Sequence, residues 1–233
     1  MNVKSALKIA AGLSLAVVAV LGAYEFVQRL PENWKPWGDV QLDEEPTWFA
    51  RWQISRLDES AELCFAALDR SDLEYRRLDD RVLRDGCGVL ARTEIVRSNI
   101  PYSSGFESPC ALAAALYWYE QSLQSLVQEY LDMRISRIEH YGTYACRNIY
   151  GRADARLSAH ATAHAIDVAG FRLEDGTIVM VQNDWGEDTP EGTFLRAARD
   201  KACQFFGPVL SPAYNAAHAN HFHLEVGGSR ICR

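Results

Sequence analysis

"SAHATAHAIDVAGFRLEDGTIVMVQ", residues 158 to 182, sets two histidines four apart, puts an aspartate three residues later, and then runs into apolar segments interrupted by Asp175 and Gly176. "HAIDVAGFRL" and "TIVMVQ" carry strand patterns, and the Asp-Gly between them is a tight-turn signal, so an antiparallel hairpin is expected. Side chains alternate along a strand. Ile166 and Val168 therefore share one face and Asp167 lies on the other, away from the core. His164 has the parity of Ile166, so if the strand starts that early it points toward packing or a supporting position. A helical alternative compares His160 and His164 with H-E-x-x-H, where two histidines bind zinc and the glutamate is the general base. Ala161 stands where that glutamate belongs, and such a helix would have nothing in the motif to activate water.

A second stretch completes the pattern. "NHFHLEV", residues 220 to 226, reads as a final strand with Phe222, Leu224 and Val226 on one face and His221, His223 and Glu225 on the other. Two histidines and an aspartate can then meet on one surface. Catalytic zinc takes imidazole and carboxylate ligands and keeps a position open. His160, Asp167 and His223 supply that set, and with one anionic ligand the centre keeps a charge of about +1 and can make its own nucleophile from water. Five of the six histidines fall within 160–164 and 218–223, and His140, alone in its segment, reads as an ordinary packed or surface residue.

The rest of the chain supplies context. Its 233 residues, 48% hydrophobic, suffice for one substantial domain plus appendages. A formal net charge of −7, with no run of Lys and Arg and no glycine-rich phosphate loop, makes nucleic acid an unexpected partner. Lys4 and Lys8 precede an uncharged apolar run from Ile9 to Tyr24. Residues 1–28 are expected to be a transmembrane anchor in the cytoplasmic membrane, with the lysines inside and the domain in the periplasm; the alternative is a signal peptide cleaved to release the domain there. Residues 29–50 read as a juxtamembrane linker whose tryptophans either sit at the membrane interface or pack on the domain, and 51–233 as the domain itself. Cys64, Cys87, Cys110, Cys146, Cys203 and Cys232 all follow the apolar run and form no C-x-x-C pair. They are expected as three disulfides in an oxidising compartment, with 15 connectivities open.

Within the domain, apolar spacing from Trp52 to Leu68 predicts one amphipathic helix. "GCGVLARTEIV" (86–96) predicts a short strand or hairpin piece. Residues 108–132 predict a long buried central helix, with Ser108 as N-cap and Pro109 at its first position. "RISRIEHYGTYACR" (134–147) has the alternation of a strand, and 192–206 predicts a helix ended by Gly207 and Pro208. The fold class expected is α+β.

At its histidine motifs the chain resembles the LAS metallopeptidases, which include D-alanyl-D-alanine dipeptidases and carboxypeptidases, the penicillin-insensitive murein endopeptidases and the hedgehog fold. Their S-x-H-x-x-G-x-A-x-D pattern lies over Ser158, His160, Ala163, Ala165 and Asp167, and their H-x-H over His221 and His223. By this resemblance His160, Asp167 and His223 are ligands of Zn2+, and His218 and His221 are flanking catalytic histidines. Ala163 departs from the pattern's glycine. From about Cys64 to Cys232 the order "GCGV", "PCALAAALYWYE", "YACRN", "LSAHATAHAIDVAGFRLEDG", "DW", "FLRAARDKACQFFGPVL", "YNAAHANHFHLE" is similar to the extensin-like C-terminal domain family of bacteria, a distant relative of the LAS group.

These resemblances imply an antiparallel sheet with packed helices of the hedgehog and D-Ala-D-Ala-peptidase kind. They imply a zinc metallopeptidase or amidase, of D,D- or L,D-peptidase type, acting on peptidoglycan stem peptides, cross-links or another cell-wall peptide. Some dipeptidase relatives place a glutamate base where this chain has Asn220, which leaves His221 as the expected base. Arg147 resembles the arginine that binds substrate or the developing oxyanion; a structural salt bridge is its other reading. Ser158 either bonds a ligand or caps a turn, and Trp185 and Tyr214 either line the cleft or belong to the core. The competing function is a non-catalytic zinc module that binds or braces the wall, for which two extra imidazoles at the open position have no use.

Overall fold

The computed structural model describes residues 3–35 and 37–233, and Met1 and Asn2 of the expected anchor and Pro36 of the expected linker lie outside the described residues. The first element, α1 (Val3–Gln28), contains the window Ala11–Gln28, which has a mean hydropathy of 1.6 and is buried against nothing. It is long and apolar enough to cross a membrane. The following segment lies against the domain: Val40 and Leu42 belong to the core, and the side chains of Tyr117, Trp118 and Gln121 bond to Asp43, Glu44 and Leu42 respectively.

Where one helix was expected from Trp52 to Leu68, there are two, α2 (Ala50–Glu59) and α3 (Ala61–Leu68). Ser60 breaks the run: its backbone is extended, and its hydroxyl accepts the Leu63 N–H to cap α3. Next come β1 (Glu74–Arg77), β2 (Arg81–Val82), β3 (Gly88–Val89), β4 (Arg92–Arg97) and β5 (Glu107–Pro109). β2 and β3 form a hairpin, and β1, β4 and β5 form a three-stranded antiparallel sheet in the order β1-β4-β5. Ser108 is therefore a strand residue rather than a helix cap. It sits opposite Thr93 in the register, the two buried hydroxyls 3.1 Å apart, and the next helix begins one residue after Pro109.

That helix, α4 (Cys110–Leu131), is the expected central one: every residue from Cys110 to Glu120 is buried. A helix apolar all round must be enclosed, and α2, α3 and the later α6 pack around it. β6 (Ile135–His140) ends well before the expected residue 147. β7 (Ala165–Leu173) and β8 (Ile178–Met180) form the expected hairpin, with Phe171 opposite Val179 and Gly176 at φ 92° in the turn. Gly170 allows the close approach there, since a Cβ would lie 2.5 Å from the Val179 carbonyl oxygen. The strand stops at Met180, because Val181 to Asp184 coil into α5 (Val181–Asp184). α6 (Pro190–Ala202) starts earlier and stops earlier than the expected 192–206: Thr189 caps it, Pro190 opens it, and Phe205 and Phe206 turn back into the core. β9 (Val209–Leu210) and β10 (Phe222–Glu225) complete an antiparallel sheet of order β6-β7-β10-β9, with β8 on β7.

All six cysteines pair, as Cys64–Cys110, Cys87–Cys146 and Cys203–Cys232. The first joins α3 to α4. The second fixes the β2–β3 hairpin to the segment just before Arg147, and the third ties the end of α6 to the C-terminal tail.

Candidate metal centre

The antiparallel register of β7 and β10 decides the site. Val168 faces Phe222, Asp167 faces His223 and Ile166 faces Leu224. Directly opposed residues share a face, so the apolar pairs enter the core while Asp167 and His223 emerge together on the other side. His160 comes from the 3-10 turn Ala159–Thr162, which Ser158 caps by accepting the His160 N–H. The turn closes at Ala163 with φ 54°, the left-handed backbone that a glycine takes without strain, and alanine accommodates it here. His160 Nε2 then lies 3.2 Å from Asp167 Oδ1 and 3.2 Å from His223 Nδ1, and His223 Nδ1 lies 3.0 Å from Asp167 Oδ1.

These contacts fit a metal. His160, Asp167 and His223 offer three ligand atoms within 4.8 Å of one another. Zinc with bonds of roughly 2.0 Å spaces tetrahedral ligands by about 3.3 Å, close to the separations here. Each histidine is also held at its far nitrogen. His160 Nδ1 donates to the Thr143 carbonyl at 2.9 Å, and His223 Nε2 faces Glu225 Oε2 at 3.2 Å. Such outer contacts fix the tautomer that presents the other nitrogen to a metal.

The ionisable groups of the site also set one another's protonation. Burial works against the Asp167 carboxylate, but His160, His223 and His221 hold it well below the usual carboxylate range. Burial also works against protonated His223, and the carboxylates of Asp167 and Glu225 outweigh it, lifting His223 to about 9. His218 moves the other way, down to about 4, through burial and the neighbouring His221 and His223. Burial lowers His221 too, with His223, His160 and Arg147 adding to the effect against Asp167.

Around this triad opens a cleft of about 270 Å³, lined by residues that include Arg147, Arg156, Tyr214, His218, His221 and Glu225. His221 Nδ1 donates to Asn220 Oδ1 at 2.8 Å, while its Nε2 lies 3.4 Å from Asp167 Oδ1. His218 Nδ1 likewise donates to Asn215 Oδ1 at 2.8 Å. Both imidazoles are thus oriented with Nε2 as the basic nitrogen. Arg147 and Arg156 reach the cleft from a short antiparallel turnback in which Ser158 N–H bonds the Arg147 carbonyl and Ile149 N–H that of Arg156. The salt-bridge alternative for Arg147 finds no carboxylate partner among the described residues. Tyr214 stands at the cleft, edge-on to His218, whereas Trp185 packs on Phe222 and under Arg199, away from the cleft.

His164 is separate from the triad: it bonds Thr162 and, at 3.1 Å, Asp58, so the helical pairing with His160 does not form. His140 bonds Ser104 and packs edge-on to Tyr102 and Phe106. Sequence reasoning missed Thr143, Asn215 and Arg156, and saw Asn220 only as a missing base. Of these, Asn215 carried a signal, lying three residues before His218. Glu225 was placed on the correct face without a role.

The family described as Extensin-like protein C-terminus matches residues 62–233, nearly three quarters of the chain. No curated protein and no solved structure matches.

Proposed function

The chain belongs to the extensin-like protein C-terminus family, and from that premise we propose that it is a zinc-dependent hydrolase of peptide or amide bonds in peptidoglycan. The observation that carries the reading is the convergence of His160, Asp167 and His223, with the imidazoles of His218 and His221 turned into the same cleft. A recognition module needs the first three residues but not the other two.

Zinc in this donor set supplies Lewis acidity to a carbonyl and lowers the pKa of water. The chain's own residues account for the rest. His221, its pKa lowered by burial and its Nδ1 held by Asn220, accepts the proton of the attacking water. His221 then returns that proton to the leaving amine, and His218, oriented by Asn215 and 5.3 Å from His221 ring to ring, offers a neutral hydrogen-bond acceptor beside it. Arg147 and Arg156 give the cleft a cationic wall suited to a substrate carboxylate or to negative charge that grows on the carbonyl oxygen. Apolar α1 and three disulfides support a domain held outside the cytoplasmic membrane, in the periplasm, where that substrate lies.

The test is to incubate the full-length protein with muropeptides, with zinc, after chelation, and after zinc is restored, and to read products by mass spectrometry. Zinc-dependent release of an amino acid or peptide is expected. Binding of wall fragments with no release in any arm replaces this reading with that of a zinc-containing wall-binding module.

A further inference from the structure

The chain's six tryptophans fall into two groups. Trp118 is enclosed in the core and Trp185 packs against it. Trp34, Trp37, Trp48 and Trp52 instead expose 51, 64, 74 and 44% of their surface.

The fold gathers these four. Buried Asn33 is the hub: its carbonyl accepts from Thr47 Oγ1 at 2.9 Å and from Gln53 Nε2 at 3.5 Å, and its side-chain amide exchanges bonds with the Gln41 backbone. Trp34, Trp48 and Trp52 are the immediate sequence neighbours of Asn33, Thr47 and Gln53. Trp37 joins through Gly38, whose carbonyl accepts from Arg56 Nη1 at 2.8 Å while the same guanidinium lies over the Trp52 ring at 5.2 Å. The buried network thus fixes the chain beside three of the indoles, and Arg56 links the neighbour of the fourth to Trp52.

Their position adds the second observation. Gln28 ends the apolar helix α1, and Lys35 Nζ bonds both the Gln28 carbonyl, at 3.4 Å, and Glu32, at 2.8 Å. The collar of tryptophans therefore begins at the foot of α1. Scattered surface tryptophans need no explanation, but clustered ones mark a contact surface. An indole has an apolar body and a polar N–H, and the headgroup layer of a bilayer satisfies both.

We propose that Trp34, Trp37, Trp48 and Trp52 form an interfacial collar that seats the domain on the lipid headgroups where α1 leaves the bilayer. This rests on the reading of α1 as a membrane span. The collar replaces a free tether with a fixed seat, so the cleft keeps one orientation to the membrane.

The test uses full-length protein in vesicles of phosphatidylethanolamine and phosphatidylglycerol. α1 contains no tryptophan, so emission reports the collar and the core alone. A nitroxide lipid labelled near the headgroup should quench wild-type emission strongly. It should quench little in the variant carrying Trp34→Ala, Trp37→Ala, Trp48→Ala and Trp52→Ala, which keeps Trp118 and Trp185. Flotation with the vesicles after alkaline wash reports the span independently. Flotation with no nitroxide quenching of wild type overturns the collar and leaves the span standing, a result that needs no variant to fold. Loss of flotation overturns the span and the collar with it. Quenching confined to a nitroxide placed deep in the acyl chains also overturns the collar.

Discussion

His221 holds Nδ1 against the Asn220 amide and turns Nε2 toward the triad without belonging to it. His221→Ala should therefore leave zinc content near one per chain while lowering turnover of a muropeptide by about 10²- to 10⁴-fold, the usual effect of a positioned base. Equal turnover by wild type and variant would remove His221 from the chemistry. Asp167→Ala should differ in kind, abolishing zinc retention through loss of a ligand. Glu225→Gln lies between them: it keeps the triad but weakens the hold on His223 Nε2, and zinc affinity measured by chelator competition should fall about 10- to 100-fold. Parity made Asp167, His223 and His221 legible in the sequence, because alternation in a strand is a local rule. The carbonyl of Thr143 was not legible, since a backbone group brought to His160 by a loop leaves no residue-type signal.

At the scale of elements, strands with strict alternation and the Asp-Gly turn could be read directly, and so could α4, whose apolar run has no solvent face. Boundaries could not, wherever a side chain competed with the periodic pattern. Ser60 interrupts a helical apolar spacing by capping α3, and Ser108 prefers the Thr93 hydroxyl across a sheet to the cap of α4. The register of β7 against β10 was also hidden, because the segments joining them are long and no turn fixes the pairing. The disulfide connectivity adds long-range information of the same kind. Cys87–Cys146 closes a sequence separation of 59 and ends beside Arg147. Replacing both cysteines by serine should lower unfolding stability by about 2 to 5 kcal/mol, and should raise KM for muropeptide as the arginine loses its support. The Cys64–Cys110 pair lies away from the cleft, so its removal should cost similar stability with KM unchanged. Equal changes in KM for the two variants would show that the bridge does not position Arg147.

For the whole molecule, stability depends on one acid that the sequence gives no reason to notice, Glu120 in "LYWYEQ" of α4. It is fully enclosed, and it accepts from the hydroxyls of Ser98 and Tyr102 and from the Ile100 N–H at 3.2 Å. Those donors belong to the segment that runs beside β6, where Ile138 N–H bonds the Pro101 carbonyl and Ser103 N–H bonds that of Ile138. Glu120 thus joins the central helix to the edge of the sheet. Burial raises its pKa to about 7 from an ordinary 4.5, against the lowering effect of its hydrogen bonds. The folded state therefore binds this proton more tightly than the unfolded chain. Its contribution is fully present below about pH 4.5, is lost as pH rises toward 7, and stays lost above that, a change of about 3 kcal/mol. Glu120→Gln keeps the size and an acceptor oxygen but has no proton to lose. In urea unfolding from pH 5 to 8, the stability of wild type minus that of the variant should fall across the window and level off near neutrality. Taking the difference cancels the histidines of the cleft, which titrate in both proteins. A difference that stays flat with pH would mean that Glu120 is ionised in the folded core throughout, with its three donors sufficient to hold the charge.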